Sequence, residues 1–304
     1  MHQIRAIQHV LALIEQELTG PLRLEALARH AGMSLWHFQR TFTAMVGEPA
    51  GSYLRRRRLT EAARALRQTD RTILDVALDY QFESHEAFTR AFKSEMGVTP
   101  SAWRSGRAAV RGGRPRHSLT RTSLNHHFQH MKLTPEIVTL PARRFAGLQS
   151  RFISAVAADS DNLQVIPRLW QSFFARVHEI EPAEPGVFYG LCECGDALGE
   201  ATTRPDEIFY LASAPLAARA GVPRGMTTWT SPAGTYARFV HRGRVARIGE
   251  TVAYIYGQWL PTSSYESGPG PDLERYDSSF DPHSDASILE IYVPLRRAQK
   301  HSSG

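Results

Sequence analysis

Ser34-Leu35-Trp36-His37-Phe38-Gln39-Arg40-Thr41-Phe42, followed by Gly47, returns 50 residues later as Ser84-His85-Glu86-Ala87-Phe88-Thr89-Arg90-Ala91-Phe92, followed by Gly97. Ser34, Phe38, Arg40, Phe42 and Gly47 are the residues repeated at Ser84, Phe88, Arg90, Phe92 and Gly97. Upstream, Leu24 pairs with Leu74 and Leu27-Ala28 with Ala77-Leu78, so the copied unit is a helix, a short turn and a second helix. The pattern predicts a tandem pair of helix-turn-helix units.

Working outward, Ile7, Val10, Leu11, Ile14 and Leu18 recur at helical spacing until Thr19-Gly20-Pro21 stops the run. Ala31-Gly32-Met33 makes the first turn, with Gly32 free to take a positive φ and Ser34 placed to cap the next helix. On that helix Leu35, Phe38, Phe42 and Met45 form one stripe, which leaves Trp36, Gln39, Arg40 and Thr43 facing out. A tryptophan, a glutamine and an arginine on one outward face suit a DNA groove better than plain solvent. From about Ala50 to Gln68 a long helix links the units and carries Arg55-Arg56-Arg57-Arg58. These four spread over a whole turn, so one or two are expected on DNA phosphates while the rest pair with carboxylates or bury their stems. In the second unit Ser84 caps a helix with Phe88, Phe92 and Met96 inward and His85, Glu86, Thr89, Arg90 and Lys93 outward. A last turn ends near Trp103-Arg104.

The charge is distributed to match. Residues 1–130 hold 19 Lys+Arg against 11 Asp+Glu, and residues 131–304 hold 17 against 19, so the net charge of +6 is confined to the repeated half. Arginine supplies nearly all of it, which suits phosphate and guanine. Between Met96 and Pro135 there is no acidic residue. The stretch from Arg107 to His130 reads as a basic linker, and His126, His127 and His130 within it as polar linker residues rather than a metal site. Cys192 and Cys194 share a strand face and form neither a disulfide framework nor a zinc site. With 304 residues, no membrane-length apolar run and no signal peptide, two domains in a cytoplasmic protein are expected, without cofactor or metal.

After Lys132 the periodicity changes. Ile137–Leu140, Phe145–Phe152, Val187–Glu193 and Glu207–Ala212 alternate as strands around a helix at Leu163–Ile180. Thr227–Trp229, Thr235–His241 and Ser287–Leu295 do so around a helix at Val245–Leu260. The expectation is an all-α double helix-turn-helix domain at 1–106, a linker at 107–131, and an α+β domain at 132–297 built from duplicated strand-strand-helix-strand repeats.

The nonapeptide at Ser34–Phe42, with Tyr53-Leu-Arg-Arg-Arg-Arg-Leu-Thr-Glu-Ala-Ala63, Tyr80-Gln-Phe-Glu-Ser-His-Glu-Ala-Phe-Thr-Arg-Ala-Phe-Lys93 and Gly97-Val-Thr-Pro100, closely resembles the DNA-binding module of AraC/XylS-type transcription regulators. The resemblance covers about residues 5–106 and is nearest to the stress and multidrug-resistance branch. It implies monomeric binding to double-stranded DNA, with Trp36, Gln39 and Arg40 in one major groove and Glu86, Thr89 and Arg90 in the next. Glu86 stands where close relatives often carry glutamine, so that half of the site meets an acceptor-only carboxylate. RNA polymerase is a further partner implied by the resemblance.

Pro141-Ala-Arg-Arg-Phe-Ala-Gly147, Ile166-Pro-Arg-Leu-Trp170, Ser231-Pro-Ala-Gly-Thr-Tyr236 and Leu289-Glu-Ile-Tyr-Val-Pro-Leu295 resemble GyrI-like effector domains. That resemblance implies a cleft between the two repeats that takes a small lipophilic, often cationic effector. Strand alternation puts Leu289, Ile291 and Val293 on one face and Ile288, Glu290 and Tyr292 on the other. If the second face lines the cleft, Glu290 is its charged anchor, with Tyr292, Tyr236 and Trp170 as walls. No lysine or arginine within the strand offers Glu290 a partner; the plainer reading is a solvent-facing glutamate on an amphipathic strand, with Trp170 in ordinary helix-to-sheet core. A hydrolase using Glu290 as general base is the alternative, and a non-catalytic sensor is the preferred reading.

Overall fold

The computed structural model describes residues 2–106, 131–153, 161–193 and 207–297. The expected linker at 107–131, its histidine cluster and Cys194 lie almost wholly outside the described residues.

Seven helices build the N-terminal half: α1 (His2–Gln16), α2 (Leu24–His30), α3 (Leu35–Val46), α4 (Ala50–Gln68), α5 (Ile73–Asp79), α6 (His85–Met96) and α7 (Pro100–Arg104). Ser34 accepts a hydrogen bond from the His37 amide and Ser84 one from Ala87, so each second helix starts at its serine cap. Each ends on a glycine in the left-handed region, Gly47 at φ 84° and Gly97 at φ 79°. One core gathers Ile7, Ile14, Leu27, Phe38, Phe42 and Tyr53; another gathers Leu66, Val76, Phe88, Phe92 and Trp103. Helix α4 contributes to both, Leu54 to the first and Leu59 to the second, which makes it the rigid joint between the units.

The offset between the units is not uniform. In α2, Leu27 and Ala28 are buried, whereas in α5 the buried pair is Val76 and Ala77, and Leu74 and Leu78 are exposed. The first helices therefore match at a spacing of 49, and the pairing of Leu24 with Leu74 is corrected to Leu24 with Ile73. Gln81 at φ 64° takes the place of Gly32 at φ 68°, and the extra residue enters the second turn before Ser84.

The C-terminal half is a curled sheet of nine described strands: β1 (Glu136–Leu140), β2 (Arg143–Ile153), β3 (Phe188–Glu193), β4 (Glu207–Pro215), β5 (Thr227–Ser231), β6 (Gly234–Arg242), β7 (Tyr265–Ser267), β8 (Asp272–Tyr276) and β9 (Ile288–Arg297). Their order is β1-β6-β9-β8-β3-β4-β2-β5, with β7 added on β9. The inner face packs Phe145 and Trp229 from one end of this path against Tyr236 and Val138 from the other. The outer face carries α8 (Asn162–Phe174) over one repeat and α9 (Ile248–Tyr254) over the other. Helix α9 runs on into a π-helical turn, Ile255–Trp259, and then α10 (Leu260–Thr262). Pro261 lacks the amide a regular ladder needs, a recognised cause of such irregularity. The expected duplicated plan is present, and β7 and β8 are added to it between the second helix and the last strand.

Candidate effector cleft and DNA-reading helices

Between α8 and the π turn, the outer face of the sheet carries an acidic, tyrosine-rich patch. In β8 the register sets Glu274 beside Ile291 and Arg275 beside Glu290, so Asp272, Glu274 and Tyr276 point to the helix-covered face. Across the sheet the same face shows Cys192 opposite Asp272 and Tyr210 opposite Cys192. Asp272 receives the Tyr256 hydroxyl from the π turn at 2.8 and 2.7 Å. Glu274 Oε2 receives Tyr210 at 2.8 Å and Tyr276 at 2.7 Å, and Trp170 Nε1 donates to the Tyr210 hydroxyl at 3.2 Å. Gly190 makes this possible: a β-carbon there would lie 2.0 Å from the Tyr210 hydroxyl and 2.9 Å from Glu274 Oε2.

Burial pushes both carboxyls above their ordinary range, an effect that the Tyr256 hydroxyl and Arg40 counter at Asp272, and Tyr276, Tyr210 and Arg40 counter at Glu274. Burial and the adjacent carboxylates hold Tyr210, Tyr256 and Tyr276 well above the usual phenol range, so they remain O–H donors. Such a site favours a cation that brings apolar surface with it.

In this structure the cation is Arg40. Its guanidinium forms an ion pair with Asp272 at 2.9 Å and lies 3.9 Å over the Trp36 ring and 5.1 Å from the Tyr256 ring. Burial opposes the Arg40 charge, but Asp272, Tyr256, Cys192 and Glu274 outweigh it and raise the arginine's pKa. Trp36, only 4% exposed, joins Phe173, Tyr210 and Cys192 in the core beneath α8. Helix α3 is thus seated in the cleft between the two repeats, against α9 and the π turn. His37 packs at 6.0 Å from the Tyr256 ring, and its pKa is lowered to about 3 by burial and by Arg296.

The residues expected to face DNA therefore divide. Trp36 and Thr43 are buried, Gln39 is half-buried and Arg40 is only 15% exposed, all on the helix docked into the cleft. In α6, His85, Glu86, Arg90 and Lys93 are exposed and Thr89 is half-buried. Ser34 is an exposed cap, and Glu86 is held below the ordinary carboxylate range by its own amide and by Ser84, a role at the helix start. Of the four consecutive arginines, Arg55 is exposed, Arg56 binds Glu48, Arg57 binds Glu15 and Glu61, and Arg58 binds the Leu18 and Gly20 carbonyls.

The expected cleft residues fall on two faces of the sheet. Glu290, Tyr292 and Tyr236 lie on the inner face, away from the helices. Glu290 is paired with Arg238 at 3.0 Å and Arg275 at 3.3 Å and accepts the Tyr292 hydroxyl at 2.8 Å, while Tyr236 donates to the Pro232 carbonyl. Its partners come from neighbouring strands, which a search along one strand does not reach. Trp170 lies on the outer face, at 5.2 Å from the Tyr276 ring. Asp272, Glu274, Tyr210, Tyr256, Tyr276 and Gly190 gather on the helix-covered face although no sequence motif singles them out. The alternation Asp272-Leu-Glu-Arg-Tyr276 was the available signal, short and hidden behind the Gly- and Pro-rich stretch at 268–271.

Residues 27–106 match a helix-turn-helix domain model and residues 133–296 a GyrI-like small molecule binding domain. The transcriptional regulator Rob of Salmonella typhimurium is 31% identical over 303 residues, covering 98% of this chain and 100% of that one. The chain belongs to the AraC family. The right origin-binding protein of Escherichia coli shows 31% identity over 310 residues, covering 98% of this chain and all of that one. The activator AarP of Providencia stuartii shares 44% over 102 residues, or 34% of this chain and 76% of its own, so the similarity is stronger in the AraC-type module. This AraC-family regulator carries a GyrI-like domain behind its DNA-binding module. Its full-length relatives are named as DNA-binding and regulatory proteins, and the hydrolase alternative finds no support among them. No described helix is long and apolar enough to cross a membrane.

Proposed function

We propose that this AraC-family protein regulates transcription in a stress or multidrug response by binding, as a monomer, one asymmetric duplex site of about 20 base pairs. Helices α3 and α6 read neighbouring major grooves through Trp36, Gln39 and Arg40 and through Thr89, Arg90 and Lys93. The 19-residue α4 spans roughly 28 Å, close to the distance of about 34 Å between successive grooves on one DNA face. Arg55 contacts phosphate, and exposed residues of the first unit meet RNA polymerase. Sedimentation of the complex on a minimal site should give one protein per duplex; two per duplex would refute the monomeric reading. Arg40→Ala should cost about 1–3 kcal/mol and relax one base position, whereas Arg55→Ala should weaken all sequences alike.

The effector in this reading is a small aromatic cation, the cleft is its site, and Asp272 and Glu274 are its anchors. The observation that carries it is the carboxylate pair, Asp272 buried and Glu274 half-buried, ringed by Tyr210, Tyr256, Tyr276 and Trp170, beside a guanidinium and an indole. Calorimetry of the full chain with tetraphenylphosphonium and with neutral triphenylphosphine oxide tests it. Glu274→Gln should weaken the cation at least about tenfold, roughly 1.4 kcal/mol, and spare the neutral compound. Glu290→Gln should change neither. A cation preference untouched by Glu274→Gln and lost with Glu290→Gln would return the anchor to the inner face.

A further inference from the structure

Helix α3 holds two surfaces that one side chain cannot serve at once. Trp36 and Arg40 occupy the positions of a groove-reading pair, and the same side chains are inside the GyrI-like domain, the guanidinium on Asp272 and the indole in the core cluster that includes Phe173 and Tyr210. A side chain enclosed in this way reaches no base edge.

We propose that α3 is the resident ligand of the effector cleft: while it is docked the first reading unit is withheld from DNA, and an aromatic cation that takes Asp272 and Glu274 displaces it and frees the chain to bind. The displacement step rests on the cationic-effector reading above.

Three observations carry the inference. The Arg40–Trp36 pair, with the guanidinium 3.9 Å over the indole, is chemically an aromatic cation, the ligand class the cleft suits. The docking is confined to one repeat, because α6 keeps its outward face exposed with Arg90 at the position of Arg40. The fit is also incomplete: His37 Nε2 and Gln39 Nε2 are buried without a hydrogen-bond partner among the described residues, so the docked state carries a standing cost that favours exchange for a better ligand. Because the coupling is reciprocal, DNA that captures α3 opens the cleft, and duplex must raise the affinity for the cation by the factor by which the cation raises affinity for duplex.

Amide hydrogen exchange on the full chain, with tetraphenylphosphonium as the cation and a duplex selected from a random pool with the full chain, decides the matter. Saturating cation should speed exchange across α3, leave α6 unchanged, and tighten duplex binding about tenfold, within the usual range for coupled sites. Asp272→Asn should do the same without cation. If the cation binds and α3 protection is unmoved, the inference is overturned while the cationic-effector reading stands. If the cation does not bind, that reading fails instead, and Asp272→Asn alone decides: faster α3 exchange with tighter duplex binding upholds the docking, and unchanged α3 exchange refutes it. Arg40→Ala, read by exchange only, keeps that arm decisive should Asp272→Asn misfold.

Discussion

Helices α3 and α6 are two copies of one local design with opposite fates. Each begins at a serine cap, buries two phenylalanines completely and ends on a left-handed glycine. Yet α3 lies within the protein and α6 on its surface. The difference is written in the outward positions: Trp36, Gln39, Arg40 and Thr43 in one copy stand where Glu86, Thr89, Arg90 and Lys93 stand in the other. The inward residues of a helix decide that it forms and packs on its own unit; the outward residues decide what else it meets. An indole and one arginine complement a tyrosine-lined acidic cleft, whereas a glutamate with two cations does not.

The sharpest way to break this comparison is to truncate matched positions. Trp36→Ala should cost about 3–5 kcal/mol in urea unfolding of the full chain, as for other buried tryptophans, and Glu86→Ala should stay within about 0.5 kcal/mol. Similar small losses at both would mean that Trp36 is not enclosed in solution. Arg40→Ala leaves Asp272 buried without its cation and should cost about 3 kcal/mol, against a negligible change for Arg90→Ala. A double-mutant cycle of Arg40→Ala with Asp272→Asn then measures how much of that loss belongs to the pair.

Smaller effects sharpen the picture. His37 is a base with its folded pKa lowered to about 3 by burial and Arg296, so its neutral form stabilises the fold fully above its ordinary value of 6.5. That contribution is lost as pH falls from about 6.5 toward 3, at up to about 1.4 kcal/mol per pH unit, because the unfolded chain takes the proton and the folded chain does not. The raised carboxyls Asp272 and Glu274 act in the opposite sense, and comparing the pH slope with that of His37→Gln cancels them. A slope unchanged by the substitution would place His37 outside the buried contact. The smallest effect should be alike in both copies: Ser34→Ala and Ser84→Ala each cost about 1 kcal/mol, since the caps serve the shared half of the design.

What could be read along the chain was what neighbours in sequence decide. The serine caps, the four-residue spacing of Phe38 and Phe42, the arginine surplus of the first half and the alternation of β9 are all short-range or compositional signals. Even there, a pairing assumed at 50 residues slipped to 49 across the second turn, because the number of residues in a turn is freer than the periodicity of the helix that follows. Strand β8 is not legible in the sequence, because five residues with two acids and an arginine carry little hydrophobic signal. The cleft was harder still, being assembled from β3, β4, β8, the π turn and α3, whose members are distant in the chain.

Sequence by itself determined two helix-turn-helix units, a basic DNA-binding half and an α+β half with repeated strands and helices, because periodicity and capping act within a few residues. It also determined that Glu290 and Tyr292 share a face. Only the tertiary structure decided which face the helices cover, that Arg238 and Arg275 reach Glu290 from adjacent strands, and that Asp272 and Glu274 face the cleft. The seating of Arg40 there is likewise tertiary, since a charge buried in a low-dielectric interior must find its partner through space, and the chain sets no limit on how far away in sequence that partner stands.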